Sequence, residues 1–140
     1  MTAREYLRQY RDATRLADLL REEYNKEAEL IDSVRSTLGG DGLPHGNGIS
    51  KSVENRAIRL SEKFLEWKTA ELDAIQIRQR VFDTISGIPG VEGEVLYERY
   101  INLRKWEEIC VLIHMSWNGT HKAHKRALVI VQNRLDRKRV

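Results

Sequence analysis

The sequence predicts an all-α protein: a long antiparallel helical hairpin of coiled-coil character, followed by a helix-turn-helix unit. Three observations predict it. Apolar residues recur at helical and heptad spacing over most of the 140 residues. The two prolines, Pro44 and Pro89, and most of the nine glycines are gathered in two short stretches, which leaves the remaining chain free to be helical. Beyond the second of these stretches lie two short helical patterns separated by three or four residues.

The first element reads as one helix over 3–37. Ala3, Tyr10, Ala17, Tyr24, Ile31 and Leu38 recur every seven residues, and Tyr6, Ala13, Leu20 and Val34 form a second seam that Glu27 interrupts. This is heptad spacing, with charges of both signs on the remaining positions, as on a solvated helix surface. "LGGDGLPHGNGIS" stops the helix, because its glycines and proline cannot continue it. Ser50 or Ser52 is the expected cap of the next helix, with Glu54 in its first turn.

That second helix is expected to run to about Ser86. Ala57, Leu60, Phe64 and Trp67 follow 3-4 spacing, and the apolar stripe then moves by one place to Leu72, Ile75 and Phe82. Such a stutter locally unwinds a coiled coil. Each helix is on the order of 50 Å long at a rise of ~1.5 Å per residue. Equal lengths and a short connection argue for an antiparallel hairpin. The narrow apolar stripes need a partner, so self-association, most simply as a homodimer, is expected.

"SGIPGVEG" over 86–93 is the second break and sets the expected domain boundary: 1–86 as the hairpin for oligomerisation or interaction, 87–140 as the C-terminal unit. The charge changes at about the same place. The first hundred residues hold fifteen Lys and Arg against eighteen Asp and Glu, and the last forty hold nine against three. The overall +3 therefore conceals a basic C-terminal part, an electrostatic footprint suited to a polyanion.

Within that part, 94–101 reads as a short helix with Leu96, Tyr100 and Ile101 inward. A further helix begins near Lys105 with Trp106, Ile109, Cys110 and Ile113 on one apolar face. His114, Met115 and Ser116 form a turn, with His114 where a left-handed glycine is usual and Ser116 as cap. Gly119 weakens the next helix or permits close backbone approach. That last helix turns Thr120, Ala123, Ala127, Leu128 and Val131 inward. Its other side carries Trp117, Asn118, His121, Lys122, Lys125 and Arg126, the candidate DNA-binding residues. A helix of this kind fits the major groove of double-stranded DNA, where Asn pairs with adenine and Lys or Arg with guanine. Arg134, Arg137, Lys138 and Arg139 are expected to add phosphate contacts. Trp117, in the first turn, has two readings, packing inside, which is slightly favoured, and contact with a thymine methyl or sugar, and His121 is expected on the outer face.

At these residues the chain resembles a family. "RYI" over 99–101, Trp106 with Ile109 and Cys110, Ser116, and His124 with Ala127 and Leu128 are similar to the C-terminal helix-turn-helix of phage-encoded transcriptional regulators of the RinA and ArpU type. That unit is similar in turn to the promoter-reading domain of bacterial sigma factors. The chain departs from the pattern at His114, Gly119 and Ala123, and carries only Asn118 where a basic or amide residue is common. The resemblance implies transcriptional control of phage genes, near a promoter and with RNA polymerase as a further contact. A small terminase-like DNA-packaging component and a helical interaction protein without a DNA target are the alternatives.

Other chemistries are not expected. Cys110, His114, His121 and His124 have no established zinc spacing, and Cys110 falls where it packs like alanine. Glu107 and Glu108 belong to a first helical turn, and no nucleophile or phosphate loop accompanies them, so neither an enzyme nor a cofactor is expected. A single cysteine, no long apolar run and no signal-like start ("MTAREYLRQY") fit a cytoplasmic protein of a bacterial host.

Overall fold

The computed structural model describes the backbone of residues 1–38 and 47–138 and the side chains of 1–33 and 51–138. Within these bounds it is all helical: α1 (Ala3–Leu38), α2 (Asn47–Ile85), α3 (Gly90–Leu96), a π-helical turn (Tyr97–Ile101), α4 (Trp106–Leu112) and α5 (Trp117–Lys138). The glycine-rich connection over 39–46, the seam side chains of Val34 and Leu38, the side chain of Ser50, and Arg139 lie outside the described residues. No described helix is long and apolar enough to cross a membrane. The chain forms two compact units, Thr14–Asp73 and Met1–Ala13 with Ala74–Val140, so the expected boundary at 86/87 falls inside the second.

Three expectations about element boundaries and faces are corrected. Helix α2 begins at Asn47, so neither Ser50 nor Ser52 stands at its N-terminus. The expected stutter is absent. Leu72 and Ile75 are 62% and 59% exposed, whereas Ala70, Ala74 and Val81 are buried, with Trp67 and Ile77 half-buried between them. The 3-4 spacing from Trp67 through Ala70, Ala74, Ile77 and Val81 to Thr84 is unbroken; alanine carries the seam where a larger residue was expected. Finally, α3 begins at Gly90 rather than Glu94 and passes into the π-turn.

In the unit Thr14–Asp73, α1 and α2 pack together through a few large contacts. The Tyr24 ring lies 5.6 Å from Phe64 and 5.4 Å from Trp67. Glu27, the residue that interrupts the seam, is 3.8 Å from Lys63 of the facing helix, which also approaches Glu23 at 3.7 Å. Tyr24 opposite Trp67 and Glu27 opposite Lys63 fix the two helices as antiparallel. Much of the apolar surface stays outside: Leu16, Leu19, Leu30, Ile58 and Leu65 are each more than half exposed.

The other unit has a denser core. Leu7, fully buried and outside both expected seams, packs with Val81 and Ile85 of α2, Leu96 and Ile101, and Val131 of α5. Burying such a side chain stabilises by about 2–3 kcal/mol. Helix α1 starts in a capping box: the Glu5 amide donates to Thr2 Oγ1 (3.2 Å) and the Thr2 amide to Glu5 Oε2 (2.9 Å). The Ala3 amide donates to Gln132 Oε1 of α5 (2.8 Å). At the other end of the core, Arg134 donates to the Thr84 and Ser86 carbonyls (2.8 and 2.6 Å), satisfying groups that the end of α2 leaves open. This removes Arg134 from the expected phosphate contacts.

Gly93 makes the turn between α2 and α3 possible, because a Cβ there would collide with the Ile88 carbonyl. In the π-turn the Asn102 amide reaches the Tyr97 carbonyl (3.1 Å), one residue further than in an α-helix. The widened turn lets Tyr100 and Ile101, neighbours in sequence, both face the core.

Candidate functional site

The α4–turn–α5 segment is built from local signals. Lys105 is extended and α4 opens with Glu107 and Glu108 in its first turn, where carboxylates complement the helix dipole. It closes in a Schellman arrangement: the Met115 amide donates to the Cys110 carbonyl (3.0 Å) and the His114 amide to that of Val111 (3.3 Å). This requires a left-handed residue, and His114 supplies it at φ 54°. Ser116 then accepts the Gly119 amide on its Oγ (3.1 Å). A Cβ on Gly119 would lie 3.1 Å from that Oγ and 3.2 Å from Met115 Cε, so the glycine leaves room for the cap. Ile109 of α4 and Ala123 of α5 are fully buried and pack together with Val95 of α3.

With that face inward, α5 turns Asn118, Lys122 and Lys125 to solvent and leaves Trp117 49% exposed. Arg126 is exposed but engaged: its Nε lies 2.9 Å from Glu92 Oε1, and this hydrogen bond holds the Glu92 carboxyl below its usual range. His121 departs from expectation. It is half-buried between two indoles, 4.5 Å from the Trp106 ring and 4.5 Å from that of Trp117, and its Nε2 is buried without a hydrogen-bond partner. Trp117 thus packs on one side and faces solvent on the other. Cys110, expected at a small buried position, is half-buried.

His124, on the inner side, lies 2.7 Å from the Tyr100 hydroxyl through Nε2. Burial first, then Arg4, His121, Arg99 and Arg8, lowers its pKa to about 4. Burial raises that of Tyr100. The imidazole is therefore neutral near pH 7, and the phenol donates to it.

Four arginines, Arg4, Arg8, Arg11 and Arg99, none of them among the expected site residues, ring a recess beside His121. The first three stand at i, i+4 and i+7 of α1, a one-sided basic stripe visible in "AREYLRQYRD". Arg99 arrives from the π-turn and could not be placed with them by spacing. Among the described residues no three His, Cys, Asp or Glu side chains gather where they could hold a metal. Comparison with known proteins returns no matching family model, no matching curated protein and no matching solved structure.

Proposed function

We propose that this chain is a DNA-binding transcriptional regulator of phage or prophage type, whose α5 enters the major groove by its N-terminal turns. The observation that carries the reading is the exposed face of α5. Asn118, Lys122 and Lys125 project from a capped helix, with Trp117 at its start, and no acidic residue occurs between Glu108 and Asp136. Lys side chains reach guanine edges or phosphates and Asn pairs with adenine. Trp117, His121 and Arg126 flank this face. His121 orients the indoles more than it reads bases, and Arg126 must leave Glu92 to reach DNA.

The exposed leucines of Thr14–Asp73 support self-association, which would place two α5 helices on a two-part DNA site. RNA polymerase is the further partner this reading names, in the cytoplasm of a bacterial host. The test is fluorescence anisotropy with duplex DNA from upstream of the chain's own gene and with random-sequence duplex, at low and physiological salt. Tighter binding to the upstream DNA, falling steeply with salt, is the expected result. Absence of binding to both duplexes would overturn the proposal.

A further inference from the structure

The recess beside His121 has a volume of about 210 Å³, several times the ~30 Å³ share of a liquid water. Its wall is unusual in charge. Among the described residues the side chains of Arg4 and Arg8 have no ion pair or hydrogen bond. Arg11 meets only Asp12, at 3.7 Å, and its Nε is buried without a partner. Arg99 donates to the Arg104 carbonyl (2.9 Å) and lies over the Trp106 ring at 4.8 Å, with Glu107 as its nearby acidic group. Arg4 and Arg8 are exposed and Arg11 and Arg99 half-buried, and like charges gathered this way repel one another. Burial, and then Arg11 and Arg8, draws Arg99 below the usual guanidinium range. The backbone beside it is also held in a costly shape, since Leu103, another lining residue, sits at φ 56°. Two buried nitrogens without partners, Arg11 Nε and His121 Nε2, belong to the same wall.

We propose that this recess binds a phosphate-class oxyanion, a phosphate monoester or a pyrophosphate group, held by Arg4, Arg8, Arg11 and Arg99 with His121 in the wall. The chemistry is selective. A carboxylate carries one charge and fits one guanidinium fork, whereas a phosphate offers three or more acceptor oxygens and up to two charges. His121 Nε2 gains a partner if it carries the ring proton, as does the Arg11 Nε–H. Two sources have this chemistry: a small phosphorylated molecule, and the terminal phosphate of a nucleic-acid strand. Apart from His121 the site shares no residue with the α5 face, and it uses neither Lys122 nor Lys125.

The test is calorimetric titration of the full chain with inorganic phosphate and with pyrophosphate, with the His121 ring followed by NMR. Saturable one-to-one binding, tighter for pyrophosphate and moving the His121 resonance, is expected. Arg4→Gln with Arg8→Gln should weaken it by about tenfold or more. These two side chains make no contact the fold needs, so the unliganded variant should melt at the same temperature or higher. Lys122→Ala with Lys125→Ala should leave anion binding unchanged. A second arm compares 5′-phosphorylated with 5′-hydroxyl duplexes. A preference for the former that the arginine variant removes, without binding of the free anions, assigns the site to strand ends. Absence of saturable binding in every arm, or binding that the arginine variant leaves intact, would overturn the proposal.

Discussion

The two compact units use their apolar residues in opposite ways. In Thr14–Asp73 the antiparallel helices meet through one aromatic group, Tyr24, Phe64 and Trp67, and the approach of Lys63 to Glu23 and Glu27, while leucines such as Leu16, Leu65 and Leu72 stay outside. In the other unit Leu7, Leu96, Ile109 and Val131 are wholly buried, and backbone ends are closed by side chains brought from far along the chain, Gln132 at α1 and Arg134 at α2. A helix pair has one mutual face and cannot bury more than a stripe, whereas five helical segments around a core can. The first region thus leaves much of its apolar surface exposed. The second is suited to holding chemistry in place.

The largest effects are therefore expected in the second unit. Leu7→Ala or Leu96→Ala should cost about 3–4 kcal/mol in urea denaturation, and Leu65→Ala no more than about 0.5 kcal/mol. Equal losses would contradict the contrast. Leu65→Glu with Leu72→Glu should leave the fold intact and lower the oligomeric state in analytical ultracentrifugation, if those side chains meet a second copy. Gly93→Ala should cost about 3 kcal/mol, since its Cβ meets backbone that cannot move aside.

The next effect is pH-dependent. His124 is neutral in the folded chain down to about pH 4, whereas an unfolded imidazole takes up a proton near its ordinary 6.5. The stability linked to the neutral ring is fully present above pH 6.5 and is lost as the pH falls toward 4. After allowance for solvent screening the loss is on the order of 2 kcal/mol. His124→Gln should flatten the thermal-unfolding profile across that window, and an unchanged profile would put the acid sensitivity elsewhere. Tyr100→Phe should cost about 1–2 kcal/mol by leaving the buried Nε2 unsatisfied. Ser116→Ala, at the α5 cap, should cost about 1 kcal/mol.

How much was legible in the sequence follows the same division between local and distant causes. The helices, the turn at His114, the Ser116 cap and the inner face of α5 were readable because each depends on neighbours within five residues. The α2 seam beyond Trp67 was misread because size was followed rather than spacing: Ala70 and Ala74 pack closely while Leu72 and Ile75 face out. Arg126 with Glu92 and Arg134 with the end of α2 are separated by 34 and about 50 residues, and no local pattern announces them. The place of His121 between two indoles, and the four arginines around its recess, likewise exist only once α1, the π-turn, α4 and α5 meet.

On the proposed function, the N-terminal turns of α5 form the surface that meets DNA. Titrating isotope-labelled protein with a short duplex and following backbone amides by NMR tests it directly. The largest shifts are expected over 116–126, and Lys122→Ala with Lys125→Ala should remove them while leaving the spectrum of the core unchanged. Shifts confined to Thr14–Asp73, or spread evenly over all basic side chains and indifferent to the double substitution, would contradict it.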